Sequence, residues 1–159
     1  MLFITTHSPY VLAEMDQVNL VRIYNADKIV SRSVLYVVPE EFKDQRKMLN
    51  RGLTEAIFAD KVLLVEGPSE MVLFGKVLSE KNPFYEADGI YILSVGGFGF
   101  KPYQSILNAL KIYNVVKTDN DLRKPRNKET YSVLGFMRLN GLIGETILPE
   151  DPVSEKSVA

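Results

Sequence analysis

Glu66 closes the run Lys61-Val62-Leu63-Leu64-Val65, and Asp119 and Asp121 follow a second run, Val115-Val116-Lys117-Thr118. A carboxylate at the end of a row of aliphatics is placed for display rather than for packing. Short apolar runs bounded by turn residues read as buried strands of a parallel sheet. The carboxyl ends of such strands line the ligand crevice of open α/β sheets. Two neighbouring strand ends would therefore gather Glu66, Asp119 and Asp121 into one small volume. Carboxylates that close repel one another unless a cation neutralises them, and hard oxygen ligands select Mg2+ or Mn2+. Asp119 and Asp121 are two positions apart, so in extended chain both side chains leave the same face. One can ligate an ion while the other holds a second ion or a bridging water. Glu70, in the first turn of the next helix, can reach the same volume, although an acid there also serves capping and the helix dipole. Thr118-Asp119-Asn120-Asp121 is likewise a sequence suited to an Asx turn. A turn accounts for the aspartates but not for the strand-end acid recurring at Glu66.

Four further features bear on chemistry. Gly96, Gly97 and Gly99 sit where a strand hands over to a helix, where backbone amides such as that of Gly97 can approach a phosphate, or simply form a tight turn. Arg123, Lys124, Arg126 and Lys128 form a basic run that suits DNA phosphates or a solvated loop. Ser69 is no nucleophile, because the sole histidine, His7, lies in another segment and no elbow glycines flank the serine. His7 itself, in Thr5-Thr6-His7-Ser8-Pro9, has the form of the histidine that senses the γ-phosphate in ABC-type ATPases. The phosphate loop of such an ATPase, Gly-x-x-x-x-Gly-Lys-[Ser/Thr], occurs nowhere in the chain.

Composition excludes several classes. With 159 residues and 46% hydrophobic content the chain can build one full core, or one domain and part of another. A net charge of −1 leaves nucleic-acid contact to local basic patches. The absence of cysteine rules out disulfides and thiolate zinc sites, and one histidine rules out a His-rich metal site. No secretory leader and no apolar run of membrane-spanning length is visible, so a cytoplasmic, soluble chain with no membrane partner is expected.

The elements that must position these residues can be read from periodicity. Leu2-Phe3-Ile4-Thr5-Thr6 reads as a buried strand, followed by a helix that Ser8 caps and Pro9 opens, running through Leu12 and Met15. Two alternating runs, residues 19–24 and 28–34, read as a hairpin turning at Asn25-Ala26-Asp27. Residues 39–60 read as a connecting helix with a weak point at Gly52. From Lys61 a strand–helix–strand–helix–strand pattern follows. Its strands are residues 61–65, 89–95 and 114–118. Its helices are residues 69–80 and a second carrying Tyr103, Ile106, Leu107, Leu110 and Tyr113 on one stripe. Right-handed crossovers then give a parallel sheet flanked by helices. A short amphipathic segment over residues 132–142 precedes an acidic tail expected to fray.

Leu-Leu-Val-Glu-Gly-Pro-Ser-Glu followed by Lys-Thr-Asp-Asn-Asp resembles the Toprim domain of topoisomerases, primases and certain nucleases. Adding Thr-Thr-His-Ser-Pro-Tyr-Val-Leu, the hairpin and Ser-Val-Gly-Gly, the order resembles the OLD-family ATP-dependent endonucleases, including the Gabija-type antiviral defence nucleases. The resemblance implies a Toprim-like (Rossmann-like) α/β fold preceded by a partial ABC-ATPase segment with a β-hairpin. It implies two-metal hydrolysis of DNA phosphodiesters by Glu66, Asp119 and Asp121, with Glu70 completing the Mg2+ or Mn2+ ligands and His7 as the ATPase switch. It further implies DNA, a second copy of the chain, and a helicase-like or other defence protein as partners, with ATP entering only through an ATPase part this chain lacks. The expected organisation is residues 1–38 as the ATPase remnant, 39–60 as the connector, 61–145 as an incomplete Toprim nuclease domain and 146–159 as a flexible tail. The family's remaining nuclease acid and lysine have no clear counterpart, Lys156 included. Because Leu2–Thr6 reads as a buried strand with no preceding partner and three parallel strands leave such a sheet one short, the reading frame is expected to continue on both sides. Two other readings stay open: a topoisomerase or primase Toprim domain, and a non-catalytic module for assembly or DNA binding.

Overall fold

The computed structural model describes residues 3–14, 19–25, 31–37, 51–97, 99–124, 126 and 128–154. The chain divides into two compact units, Met1–Val116 and Lys117–Ala159.

The first unit is built on a three-stranded parallel sheet. Strands β3 (Lys61–Val65), β4 (Ile90–Ser94) and β5 (Tyr113–Val116) lie in the order β4-β3-β5. Strand β3 is central and the most apolar, and Val62, Leu64 and Val65 are all buried. Burial on both faces is what an unbroken aliphatic run predicts. Helix α3 (Pro68–Lys81) connects β3 to β4, and α4 (Phe100–Ala109) connects β4 to β5. Phe100, Leu107 and Leu110 fill the core with Leu53 of α2 (Arg51–Ala56). The mixed α/β fold with a parallel sheet and an accompanying hairpin is the one expected. Tyr113, however, does not continue the stripe of α4. Lys111 adopts φ 58°, which ends the helix, and Tyr113 starts β5 with its ring exposed.

Ahead of the sheet, α1 (Pro9–Ala13) begins as predicted: Ser8 caps it, its side chain accepting from Val11 N–H, and Pro9 opens the first turn. The hairpin is present as β1 (Leu20–Asn25) and β2 (Ser31–Tyr36), with Asn25 facing Ser31. The strand expected at the N-terminus is not. Residues 3–8 form no strand, and Phe3 is 80% exposed. An extended segment without a ladder partner leaves its amides to water, and no described strand pairs with this one. Leu2 of that expected strand, Met15, the turn at Ala26-Asp27, residues 28–30 and residues 39–50 of the connecting segment lie outside the described residues.

One arginine joins the hairpin to the sheet. Arg22 of β1 donates to the carbonyls of Ala59 (3.1 Å), Leu110 (3.1 Å) and Lys111 (3.4 Å), and its side chain is 13% exposed. It also packs over the Tyr24 ring at 5.2 Å. Burial lowers its pKa, opposed by the nearby Asp60 charge. Carbonyls at the end of α4 carry the negative pole of that helix, a natural seat for a guanidinium.

The second unit consists of β6 (Leu122–Arg123), β7 (Thr130–Val133), α5 (Leu134–Ile143) and β8 (Val153–Ser154). Its strands run antiparallel in the order β6-β7-β8. The segment expected as one amphipathic stretch is thus a strand that passes directly into a helix. Within the stretch expected as a tail, residues 146–159, Val153–Ser154 form β8, and residues 155–159 lie outside the described residues. Tyr131 pairs with Val153, and the buried Asn140 anchors the intervening loop. Its Nδ2 donates to Leu148 O (2.8 Å) and Glu150 Oε1 (2.9 Å), and its Oδ1 accepts from Ile147 and Leu148 N–H (3.1 and 2.9 Å). A polar side chain satisfied this fully is stabilising in a buried position.

Candidate functional site

Glu66 leaves β3 directly, and its backbone is held from two sides. Its carbonyl accepts from Gly97 N–H at 2.9 Å and from the Ser94 hydroxyl at 3.3 Å. The turn that delivers the Gly97 amide needs φ 70° at Gly96 and φ 131° at Gly97, conformations open to glycine. Gly97 was expected to offer its amide to a DNA phosphate. In the structure that N–H is given to the Glu66 carbonyl.

Glu70 sits at the third position of α3, where its carboxylate accepts from Gly67 N–H at 3.0 Å. This is the capping role that an acid in a first turn performs. Glu66 thus follows the last residue of β3, and Glu70 stands in the first turn of α3, four residues on. Strand β5 pairs with β3 in parallel, Leu64 beside Val116, so the segment bearing Asp119 and Asp121 leaves the strand next to the one that Glu66 ends.

Within the second unit Asp119 and Asp121 share one loop that three features shape. Lys117 pairs with Asp119. Arg138 of α5 donates through Nη1 to Thr118 Oγ1 (3.2 Å) and Asp119 O (3.3 Å), and through Nη2 to Asp121 Oδ2 (2.8 Å). Leu134 N–H binds Asp121 O at 2.8 Å. The helix comes so close here that a Cβ on Gly135 would stand 2.6 Å from Asp119 O and 2.8 Å from Asn120 Cα. Sequence reasoning missed Lys117, Gly135 and Arg138. An arginine on an amphipathic segment reads as solvated, and only the uncompensated charge of two nearby aspartates hints at a partner.

The basic run lies on the same unit. Arg123, Lys124, Arg126 and Lys128 are exposed, and Lys124 Nζ stands 5.3 Å from the centre of the Tyr131 ring. Arg123 and Arg126 line an open concavity of about 440 Å³ with Ser132, Leu134 and Met137. His7 is exposed, just ahead of α1.

The donors available suit a hard divalent cation: Glu66, Glu70, Asp119 and Asp121 offer carboxylate oxygen only. Among the described residues, no three His, Asp or Glu side chains converge into a group that could hold a metal ion. Glu70, Asp119 and Asp121 instead engage protein partners. Among these residues no helix is long and apolar enough to cross a membrane.

Comparison with known proteins agrees with this architecture. Residues 57–121 match the family described as overcoming lysogenization defect protein-like, TOPRIM domain. Over 149 residues, 93% of its length, the chain is 45% identical to Endonuclease GajA of Bacillus cereus (strain VD045). It spans 26% of the length of that relative.

Proposed function

Since residues 57–121 belong to the OLD-like TOPRIM family, we propose that the chain supplies the nuclease centre of a metal-dependent, ATP-linked DNA endonuclease of the OLD type. The observation that carries the reading is the parallel pairing of β3 with β5, because both acid-bearing segments then leave adjacent strands at the same edge. Glu66, Asp119 and Asp121 act as ligands, and Glu70 as a ligand or a group that orients water. Two bound Mg2+ or Mn2+ ions supply Lewis-acid stabilisation of the phosphoryl oxygens and make water more acidic. The chain's own residues do the remainder. The Gly97 amide and Ser94 hydroxyl fix the backbone of Glu66, and Lys117 and Arg138 hold the loop that carries the aspartates. Arg123, Lys124, Arg126 and Lys128 contact DNA phosphates. Residues 1–38 close an ABC-type ATPase domain in which His7 senses nucleotide. The whole protein works in the cytoplasm as a homo-oligomer, with a defence partner, against invading DNA.

Nicking of supercoiled plasmid with Mg2+ or Mn2+ tests the reading. Activity should be lost in Glu66→Gln and Asp119→Asn, and cleavage that survives both, or that needs no metal, refutes it. One observation favours a second reading, that of a module that docks on DNA without cutting it: Glu70, Asp119 and Asp121 all have protein partners. Calorimetry that finds DNA binding but no divalent-ion binding would establish that reading instead.

A further inference from the structure

We propose that Arg138 is the positioning residue of the loop 118–121, one guanidinium fixing Asp119 and Asp121 relative to each other before a cation or DNA arrives. Its functional consequence rests on the metal-ligand reading above, but the contact itself does not. The side chain is 17% exposed and bonds three residues of that loop: the Thr118 hydroxyl, the Asp119 carbonyl and the Asp121 carboxylate. A planar fork with fixed donor directions is suited to such a set, whereas an ammonium would satisfy it only in part. The helix that carries it is itself locked to the loop. Gly135, one turn before Arg138 and on the same face, lets the α5 backbone meet Asp119 and Asn120, and Leu134 N–H holds Asp121 O. Arg138 thus reaches the loop from α5, and its bonds tie the Asp119 backbone to the Asp121 carboxylate. Retaining the partner of a metal ligand is worth roughly one to two orders of magnitude in metal affinity.

Two other roles for a cation at this place predict different results. A pure counter-charge is replaceable by lysine. A DNA contact shows itself without metal. Arg138→Lys, Arg138→Gln and Thr118→Val should therefore be compared with the unaltered chain by amide hydrogen exchange over residues 117–122, by Mn2+ calorimetry and by metal-free DNA binding. Exchange over that loop should accelerate about tenfold in both arginine variants and by less in Thr118→Val, which removes the hydroxyl that Arg138 meets but no charge. Mn2+ affinity should fall about tenfold in both arginine variants, while metal-free DNA affinity stays unchanged. Wild-type exchange in Arg138→Lys overturns the proposal in favour of counter-charge. A loss of metal-free DNA binding with unaltered exchange overturns it in favour of phosphate contact. If the unaltered chain binds no Mn2+, the metal reading fails, and the exchange of residues 117–122 still decides the role of Arg138.

Discussion

Two glycines of helix α5 obey opposite rules although they stand only six positions apart. At Gly135 a methyl group would meet backbone, 2.6 Å from Asp119 O, and backbone yields only by moving the loop. At Gly141 a methyl group meets nothing within 4 Å, and the residue is exposed in a helix. Gly141→Ala should thus stabilise the protein by about 0.5–1 kcal/mol through helix propensity. Gly135→Ala should destabilise it by about 1–3 kcal/mol and shift the amide signals of Asp119 and Asn120. Denaturant titration of the two variants checks the sign of each. Gly97 presents a third situation: space for a side chain is open, yet φ 131° disfavours one. Gly97→Ala should cost about 1–2 kcal/mol and, by releasing the Glu66 carbonyl, lower plasmid nicking more than it lowers the melting temperature.

At the scale of elements, the contact that holds the hairpin is more informative than its strands. Arg22 bonds carbonyls of three residues, whereas its ionic partner Asp60 lies 3.6 Å away with a side chain 75% exposed. Solvent screens that pair, so the carbonyl bonds carry the stabilisation. Arg22→Met should lose about 2–3 kcal/mol, and Asp60→Asn should stay within about 0.5 kcal/mol of the parent, as read by thermal unfolding. The alternation from β3 to β5 was legible from residue pattern, because aliphatic runs and helical stripes each declare their period. So were the hairpin and the Ser8 cap. The second unit was not. Strands of two residues, Leu122–Arg123 and Val153–Ser154, have no period to read, and a single Asn140 organises the loop before β8. The N-terminal residues 3–8 misled for the converse reason, since an apolar run becomes a strand only beside a partner. Of the candidate site, the acids could be named from their positions at strand ends. The groups that hold them, Ser94, Lys117, Gly135 and Arg138, declare themselves only through contacts made across the fold.

For the whole molecule, helix α3 has the most to say. None of its residues is buried, and Val72, Leu73 and Val77 form a stripe along which Lys76 pairs with Glu80 at 3.2 Å. Gly75 marks the opposite, inward side, where an added Cβ would touch Tyr85 Oη and Ile92 Cδ1. Phe84, just past the helix, is 73% exposed. Contiguous apolar surface of this kind promotes association. Light scattering across a concentration series should show the chain self-associating, and Val72→Glu combined with Leu73→Lys should return it to a monomer. A parent chain that is monomeric at every concentration contradicts this expectation.

Asn140 also makes the protein keep a chemical record. It is followed by Gly141, the neighbour whose amide nitrogen most readily attacks an asparagine side chain and drives its deamidation. While the loop at residues 147–150 is docked, the helix and the hydrogen bonds to Ile147, Leu148 and Glu150 hold that side chain away from attack. Each opening removes this protection. Once deamidated, the new carboxylate would face Glu150 and the Leu148 carbonyl, where an amide donor stood, and redocking would be opposed. Ageing of this unit should therefore be irreversible. The deamidated fraction of the peptide spanning Asn140 and Gly141, followed by mass spectrometry, would then count openings that no equilibrium melt registers.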